Sequence, residues 1–223
     1  MPRPGVRSPS SPPINNPLSI ISDQRILIMK RIALEQRKTK ETEISVKLSI
    51  DGGNEPKIKT GIPFFDHMLT LFAVHGFFDL VVNAAGDLDV DFHHTVEDVG
   101  IVLGDAFNSA LGDRKGIKRF GYAITPMDDA LCFVALDLSK RPYLVYNVSN
   151  DFVTSAGFGT SLAKEFFRAF SVRAGMNLHI NVFYGENEHH VIESIFKSFG
   201  RALDQACGID DRIKNIRSSK GVL

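Results

Sequence analysis

The chain has 223 residues, 43% hydrophobic and 23% charged, and its 26 basic and 26 acidic residues cancel to a formal charge of zero. That length can bury the core of one large domain or two small ones, and the charge balance leaves no global field to steer it onto nucleic acid or a membrane. Cys132 and Cys207 lie far apart, which argues against a disulfide framework or thiolate zinc site and for a reducing compartment. Apolar runs such as Ile26 to Met29 and Val99 to Leu103 fall well short of the roughly 20 residues of a membrane-spanning helix, so the chain reads as soluble.

Residues 1–29 are rich in Pro and Ser and have no acidic residue before Asp23. Such a composition cannot bury enough surface to order itself, and it reads as a disordered extension, with Met29 as an alternative start. It lacks the amphipathic periodicity of a transit peptide. A cytoplasmic location is therefore expected, with plastid targeting by this extension as the alternative.

From about Lys30 the pattern turns to period two. Ile44, Val46, Leu48 and Ile50 alternate with polar residues before an Asp51-Gly52-Gly53-Asn54 turn, a strand-and-turn signature. Ile62 to Val74 has helical spacing, with Pro63 in its first turn and Gly76 ending it. Asp79 to Asn83 and Leu88 to Phe92 read as strands flanking a turn at Gly86. Thr95 to Leu111 reads as a helix ended by Gly112. Tyr122 to Thr125, Ala130 to Leu138 and Tyr143 to Val148 are strand-like; Leu162 to Ala174 is helical, Leu178 to Phe183 a strand, and Val191 to Ala206 a helix closed by Gly208.

An internal repeat organises these elements. HHTVEDVGIVLGDAFNSALG from His93 and HHVIESIFKSFGRALDQACG from His189 align without a gap at both histidines, the Glu, and then Gly104/Gly200, Ala106/Ala202, Ala110/Ala206 and Gly112/Gly208. Upstream, each half has a phenylalanine pair beside a candidate ligand: FFDH ends at His67, and EFF begins at Glu165. The chain divides into halves at 30–113 and 114–223, each a copy of one strand-and-helix unit. Good packing by small residues would account for the shared glycines and alanines, but not for His-His-x-x-Glu appearing twice.

Residues four apart share a helix face, so His93 with Glu97 can hold one metal ion and His189 with Glu193 another. The adjacent His94 and His190 point about 100° away. If the halves pack about a pseudo-two-fold axis, His94 reaches the ion of His189 and Glu193, and His190 that of His93 and Glu97. His67 and Glu165 then complete the sets. Imidazole and carboxylate without thiolate suit Mn, Fe, Zn or Co, and several open positions favour an ion comfortable with six ligands, hence Mn2+. The alternative is that these are polar helix N-termini complementing the dipole.

TGIPFFDHMLTLFAVHGFFDL from Thr60, DFHHTVEDVGIVLGDAF from Asp91, GENEHHVIESIFKSFGRAL from Gly185 and the terminal SSKGVL resemble the imidazoleglycerol-phosphate dehydratase family, over about Lys30 to Leu223. The resemblance implies an α/β (α+β) fold of two ribosomal-S5-domain-2-like halves, two sheets with helices packed between them, assembled as a 24-subunit homo-oligomer with active sites at subunit interfaces. It implies one Mn2+ on His67, His94, His189 and Glu193, and a second on His93, Glu97, Glu165 and His190. Many relatives have His where Glu165 stands, and some ligands would come from a neighbouring chain.

The implied reaction converts imidazole glycerol phosphate to imidazole acetol phosphate in histidine biosynthesis. No carbonyl activates the proton that is lost, so an enolate route is closed; a metal-gripped imidazolate ring can instead push out the hydroxide. The resemblance points to Glu41 and His75 as acid-base groups, and to Arg119, Arg141, Lys197, Ser219 and Lys220 as phosphate-binding residues. Where Lys140 precedes Arg141-Pro142 the family usually has Gly, which bears on the local turn. Asp128 and Asp129 are expected to be structural or to stand behind the ligands. A di-metal hydrolase of a small phosphorylated substrate is the alternative enzyme. A metal-storage role leaves Arg119, Lys197 and Lys220 without a use, and an RNA-binding role lacks the basic face it requires.

Overall fold

The computed structural model describes residue 1, residues 31–148 and residues 157–223. Apart from Met1, the expected N-terminal extension lies outside the described residues. The first half lays down β1 (Ile32–Lys38), β2 (Thr42–Ser49), β3 (Lys57–Lys59), α1 (Pro63–His75), β4 (Asp79–Gly86) and α2 (His93–Leu111). The second repeats the series as β5 (Phe120–Met127), β6 (Ala130–Asp137), β7 (Tyr143–Asn147), α3 (Thr160–Ala174), β8 (Asn177–Tyr184) and α4 (Glu188–Cys207).

The sheets have one topology, β1-β2-β4-β3 and β5-β6-β8-β7. In each, the first two pairings are antiparallel and the last is parallel. A parallel pair needs a crossover, and α1 and α3 provide it. Alternation gives each sheet one buried face: Ile44, Val46 and Leu48 of β2 and Cys132, Val134 and Leu136 of β6 are buried, and those faces meet the helices.

The helices lie between the sheets. α2 covers β1 and β2, and α4 covers β5 and β6, while α1 packs on α4 and α2 on α3. The first helix of each half therefore lies on the second helix of the other. Phenylalanines fill the seam, with ring centroids 5.2 Å apart for Phe72–Phe199 and 5.4 Å for Phe107–Phe170. Each fully buried ring contributes about 1.5–3 kcal/mol, and the halves share one continuous core.

Four expectations change. Leu88 to Phe92 is a turn: Val90 N–H donates to the Asp87 carbonyl and His93 N–H to Asp91 Oδ1 (2.9 and 2.7 Å). β4 instead runs on through Gly86 because β2 pairs with it to its end, Ile44 with Ala84, Glu43 with Ala85 and Thr42 with Gly86. The short strand β3 was not expected. α2 and α4 also begin earlier than their apolar periodicity, which brings both His pairs into first turns.

Lys140 adopts φ 57°, the left-handed region that glycine enters freely and other residues enter at a cost. The turn is held by its N–H donating to the Gly175 carbonyl (2.8 Å). Beside it, the fully buried Arg114 guanidinium donates to the Ala174 and Gly175 carbonyls and to Asn108 Oδ1, capping α3 with positive charge. Both cysteines are free and buried, and burial pushes their thiols up to about 12. Among the described residues no helix is long and apolar enough to cross a membrane.

Candidate functional site

The α1–α4 packing makes the first group of ligand atoms. Asn187 caps α4 through its side chain, accepting from the N–H groups of His189 and His190 (2.9 and 3.4 Å), which fixes the turn carrying both imidazoles. On α1, Asp66 accepts from the Thr60 backbone and hydroxyl (2.8 and 2.6 Å) and anchors the turn that presents His67. His189 Nε2 lies 3.1 Å and His67 Nε2 3.6 Å from Glu193 Oε2. The donor atoms of His67, His189 and Glu193 all fall within 4.8 Å of one another. An ion with bonds of about 2.0–2.2 Å needs donors at little less than that spacing, and a nitrogen-and-oxygen set without thiolate suits a first-row divalent ion. The residues therefore fit a metal. Phe64 packs edge-on to His189 and restrains its ring.

Glu193 is largely buried, and burial by itself would raise its pKa. The Lys197 ammonium 2.6 Å from Oε1 outweighs that and, with His67 and His189, holds the carboxyl below its ordinary value. Lys197 and Glu193, one turn apart, share one face of α4.

The α2–α3 packing gathers the counterpart group. His93 Nε2 is 3.7 Å from Glu97 Oε2. Arg168, one turn beyond Glu165, bridges Glu165 and Glu97, the latter at 3.3 Å. This group has two carboxylates and one imidazole where the first has two imidazoles and one carboxylate. Arg168 had no signal in the sequence, since only the helix crossing reveals that it faces both acids.

His94 and His190 turn away from both groups toward corners of the two sheets. His94 Nδ1 lies 3.0 Å from Asp87 Oδ2 and 3.9 Å from Glu41. His190 Nδ1 lies 2.5 Å from Asp129 Oδ1, and its Nε2 is 3.5 Å from Asp128. The hydrogen bond to Asp87 raises the His94 pKa, and that to Asp129 raises the His190 pKa and drives the Asp129 carboxyl well below its usual range. Within one chain, then, neither ring enters the three-donor group. The crossed reach expected from a pseudo-two-fold axis is not made inside a single chain, because Asp87 and Asp129 hold these rings at the sheet corners.

The remaining candidates fall at two places. His75 ends α1 two turns beyond His67; burial, then Lys197 and Arg201, lower its pKa, with Glu193 opposing. Arg119 clasps Asp137 through Nε and Nη2 (2.6 and 2.9 Å) and donates to the Arg217 carbonyl (2.7 Å), which ties the C-terminal segment bearing Ser219 and Lys220 to this corner. Arg141 lies 3.9 Å from Asp137. Arg119 precedes β5, whereas Met127 at the far end touches Lys197. A strand of that length spans on the order of 25 Å. A single chain thus brings Lys197 to the ligand group but not Arg119, Arg141, Ser219 or Lys220.

Residues 60–203 match the family described as imidazoleglycerol-phosphate dehydratase. Imidazoleglycerol-phosphate dehydratases of Desulfosudis oleivorans and Trichlorobacter lovleyi are 64% and 58% identical over 195 residues, 87% of this chain and 100% of each relative. Among solved structures, the Pyrococcus furiosus enzyme in complex with (S)-C348 is similar with a TM-score of 0.74 and 40% identity, over 84% of this chain and 99% of that one. The Staphylococcus aureus enzyme gives 0.72 and 38%, over 80% of this chain and 100% of that one.

Proposed function

The chain belongs to the imidazoleglycerol-phosphate dehydratase family and is a hydro-lyase that dehydrates imidazole glycerol phosphate in histidine biosynthesis, and we propose that it does so at sites built for two Mn2+ ions and completed between subunits. One set is His67, His189 and Glu193 with His94 of a neighbouring copy; the other is His93, Glu97 and Glu165 with a neighbour's His190.

The observation that carries this reading is the exchange of donors between halves. His67 of the first half stands with His189 and Glu193 of the second, and Glu165 of the second is joined through Arg168 to Glu97 of the first. Each group lacks a further imidazole, and each half has one left over, facing outward. When bound, such ions supply Lewis acidity toward the nitrogens of an imidazole ring.

The chain's own groups handle the rest. Water leaves as a hydroxyl from the carbon attached to the ring and a proton from its neighbour, so one group must donate a proton and another accept one. Glu41, beside His94, and His75, whose pKa is lowered by burial, Lys197 and Arg201, take these roles. Arg119 and Arg141, with Ser219 and Lys220, offer the phosphate a cationic corner whose guanidinium is pre-oriented by Asp137, and Lys197 adds a charge next to Glu193. Their separation along β5 supports a site shared between copies.

Assembly into 24 subunits belongs to the same proposal. The edge strand β5 exposes Phe120, Tyr122 and Ile124 on its outer face, a row of large apolar side chains that calls for a covering partner. The test is turnover of imidazole glycerol phosphate by enzyme stripped with chelator, with and without added Mn2+, alongside metal analysis. Restoration by Mn2+ with two ions per chain supports the reading. Full activity in stripped enzyme would overturn it.

A further inference from the structure

The histidines divide by the nitrogen they present. His67, His93 and His189 direct Nε2 at their own group's carboxylate. His94 and His190 commit Nδ1 to a carboxylate of the nearest sheet corner, Asp87 and Asp129 respectively. A neutral imidazole has one N–H and one lone pair, so an acceptor held on Nδ1 places the proton there and leaves the lone pair on Nε2.

We infer that Asp87 and Asp129 are positioning residues that set the tautomer and direction of His94 and His190, so that each offers Nε2 as a metal ligand to a neighbouring copy. This rests on the two-ion reading above. The corners are built alike but use opposite strands. Asp87 follows β4, and its N–H donates to the Glu41 carbonyl across the β2–β4 edge (3.1 Å). Asp129 precedes β6 and accepts from Glu186 and Asn187 N–H across the β6–β8 edge (2.5 and 2.8 Å). Asp129 is therefore fixed from behind: Oδ2 takes the two backbone donors while Oδ1 takes the ring. Asp128, near Nε2 of His190, has a side chain 69% exposed and no such anchoring among the described residues.

This arrangement makes Asp129→Asn a sharp probe. The two backbone N–H groups claim the amide oxygen, which turns the amide NH2 toward Nδ1. An NH2 there donates to Nδ1 and forces the proton onto Nε2, the atom needed as ligand. The fold-supporting contacts survive while the tautomer is reversed.

The experiment uses the assembled full-length enzyme and Mn2+ alone. Ions bound per chain are read by metal analysis after equilibrium dialysis, and the bound species by Mn2+ electron paramagnetic resonance, for wild type, D129N, D129E, D128A and H190A. D129N is expected to weaken one of the two ions by about 10–100-fold, the range for removing a carboxylate behind a ligating histidine. D129E should recover part of the loss, and D128A should bind like wild type. If H190A keeps both ions at wild-type affinity, the ligand assignment itself fails. If H190A loses an ion while D129N binds like wild type, the positioning role alone is overturned. Should D129N fail to assemble, D87A asks at His94 whether losing the acceptor on Nδ1 weakens an ion, scored against H94A.

Discussion

Gly104 and Gly200 meet the opposing helix at equivalent points in the two halves: a Cβ on Gly104 would lie 2.8 Å from the Phe170 carbonyl oxygen, and one on Gly200 2.4 Å from that of Phe72. These contacts set how closely α2 approaches α3 and α4 approaches α1, and therefore how His67 meets Glu193. Gly200→Ala forces the helices apart, and overpacking of this kind costs about 1–3 kcal/mol. Chemical denaturation should show that loss, and metal titration should show weaker binding at the His67 group. An unchanged denaturation midpoint would mean the crossing is slack.

His189→Ala removes one of three converging donors from an exposed position on α4. Turnover should fall by at least about a hundredfold, in line with loss of a group that organises the reacting centre, while circular dichroism and assembly size stay as in wild type. Near-normal activity would take this residue out of the mechanism.

His75 gives a pH dependence with a definite sign. Its pKa is lowered from 6.5 by burial and by Lys197 and Arg201, so it stays uncharged to lower pH than an ordinary histidine. The unfolded chain binds its proton first as pH falls. Stability from this group is therefore present above 6.5 and is lost as pH drops through the lowered folded value. The acid limb of kcat/KM should lie below 6.5, and Arg201→Gln should shift it upward. A limb at or above 6.5 in wild type contradicts the assignment of His75 to proton transfer.

Lys140→Gly should stabilise the protein. A non-glycine residue in the left-handed region costs on the order of 1–3 kcal/mol, against about 0.5–1 kcal/mol for glycine's greater freedom in the unfolded chain. The net gain of about 1 kcal/mol corresponds to about 2–4 °C in Tm for a chain of this size. A fall in Tm would show that the Lys140 side chain contributes contacts that offset its backbone.

Arg119→Lys keeps the charge but loses the fork that clasps Asp137 and reaches the Arg217 carbonyl. Substrate KM should rise about tenfold or more, with a smaller change in kcat, because a single ammonium cannot hold both partners. An equal KM for the two proteins would remove Arg119 from the phosphate corner.

Much of this was readable from residue order because the duplication repeats its spacing. His93 and His189 lie 96 residues apart and predict equivalent helices, and the phenylalanine pairs at His67 and Glu165 mark the other two. Strands β2 and β6 show plain alternation. What escaped depended on tertiary context. Lys57–Lys59 is too short to show a period and becomes a strand only by pairing with β4. Leu88 and Val90 alternate like a strand but lie in a turn. Asp87, Asp89 and Asp91 form one acidic run before His93, and nothing in their order tells which one faces His94; the turn after Gly86 decides it. Arg168 pairs with acids on two helices, a relation that spacing along α3 alone does not contain.

The two sheet corners show what carrying both units in one chain allows. A homodimer of separate units must repeat every substitution in both places, but here Asp129 is bound up with His190 and the backbone, while Glu41, which occupies the same place just before the second strand of its half, leaves the closer contact to Asp87. The duplicated scaffold has thereby freed one carboxylate from ring-holding, a division of labour that two identical polypeptides could not evolve.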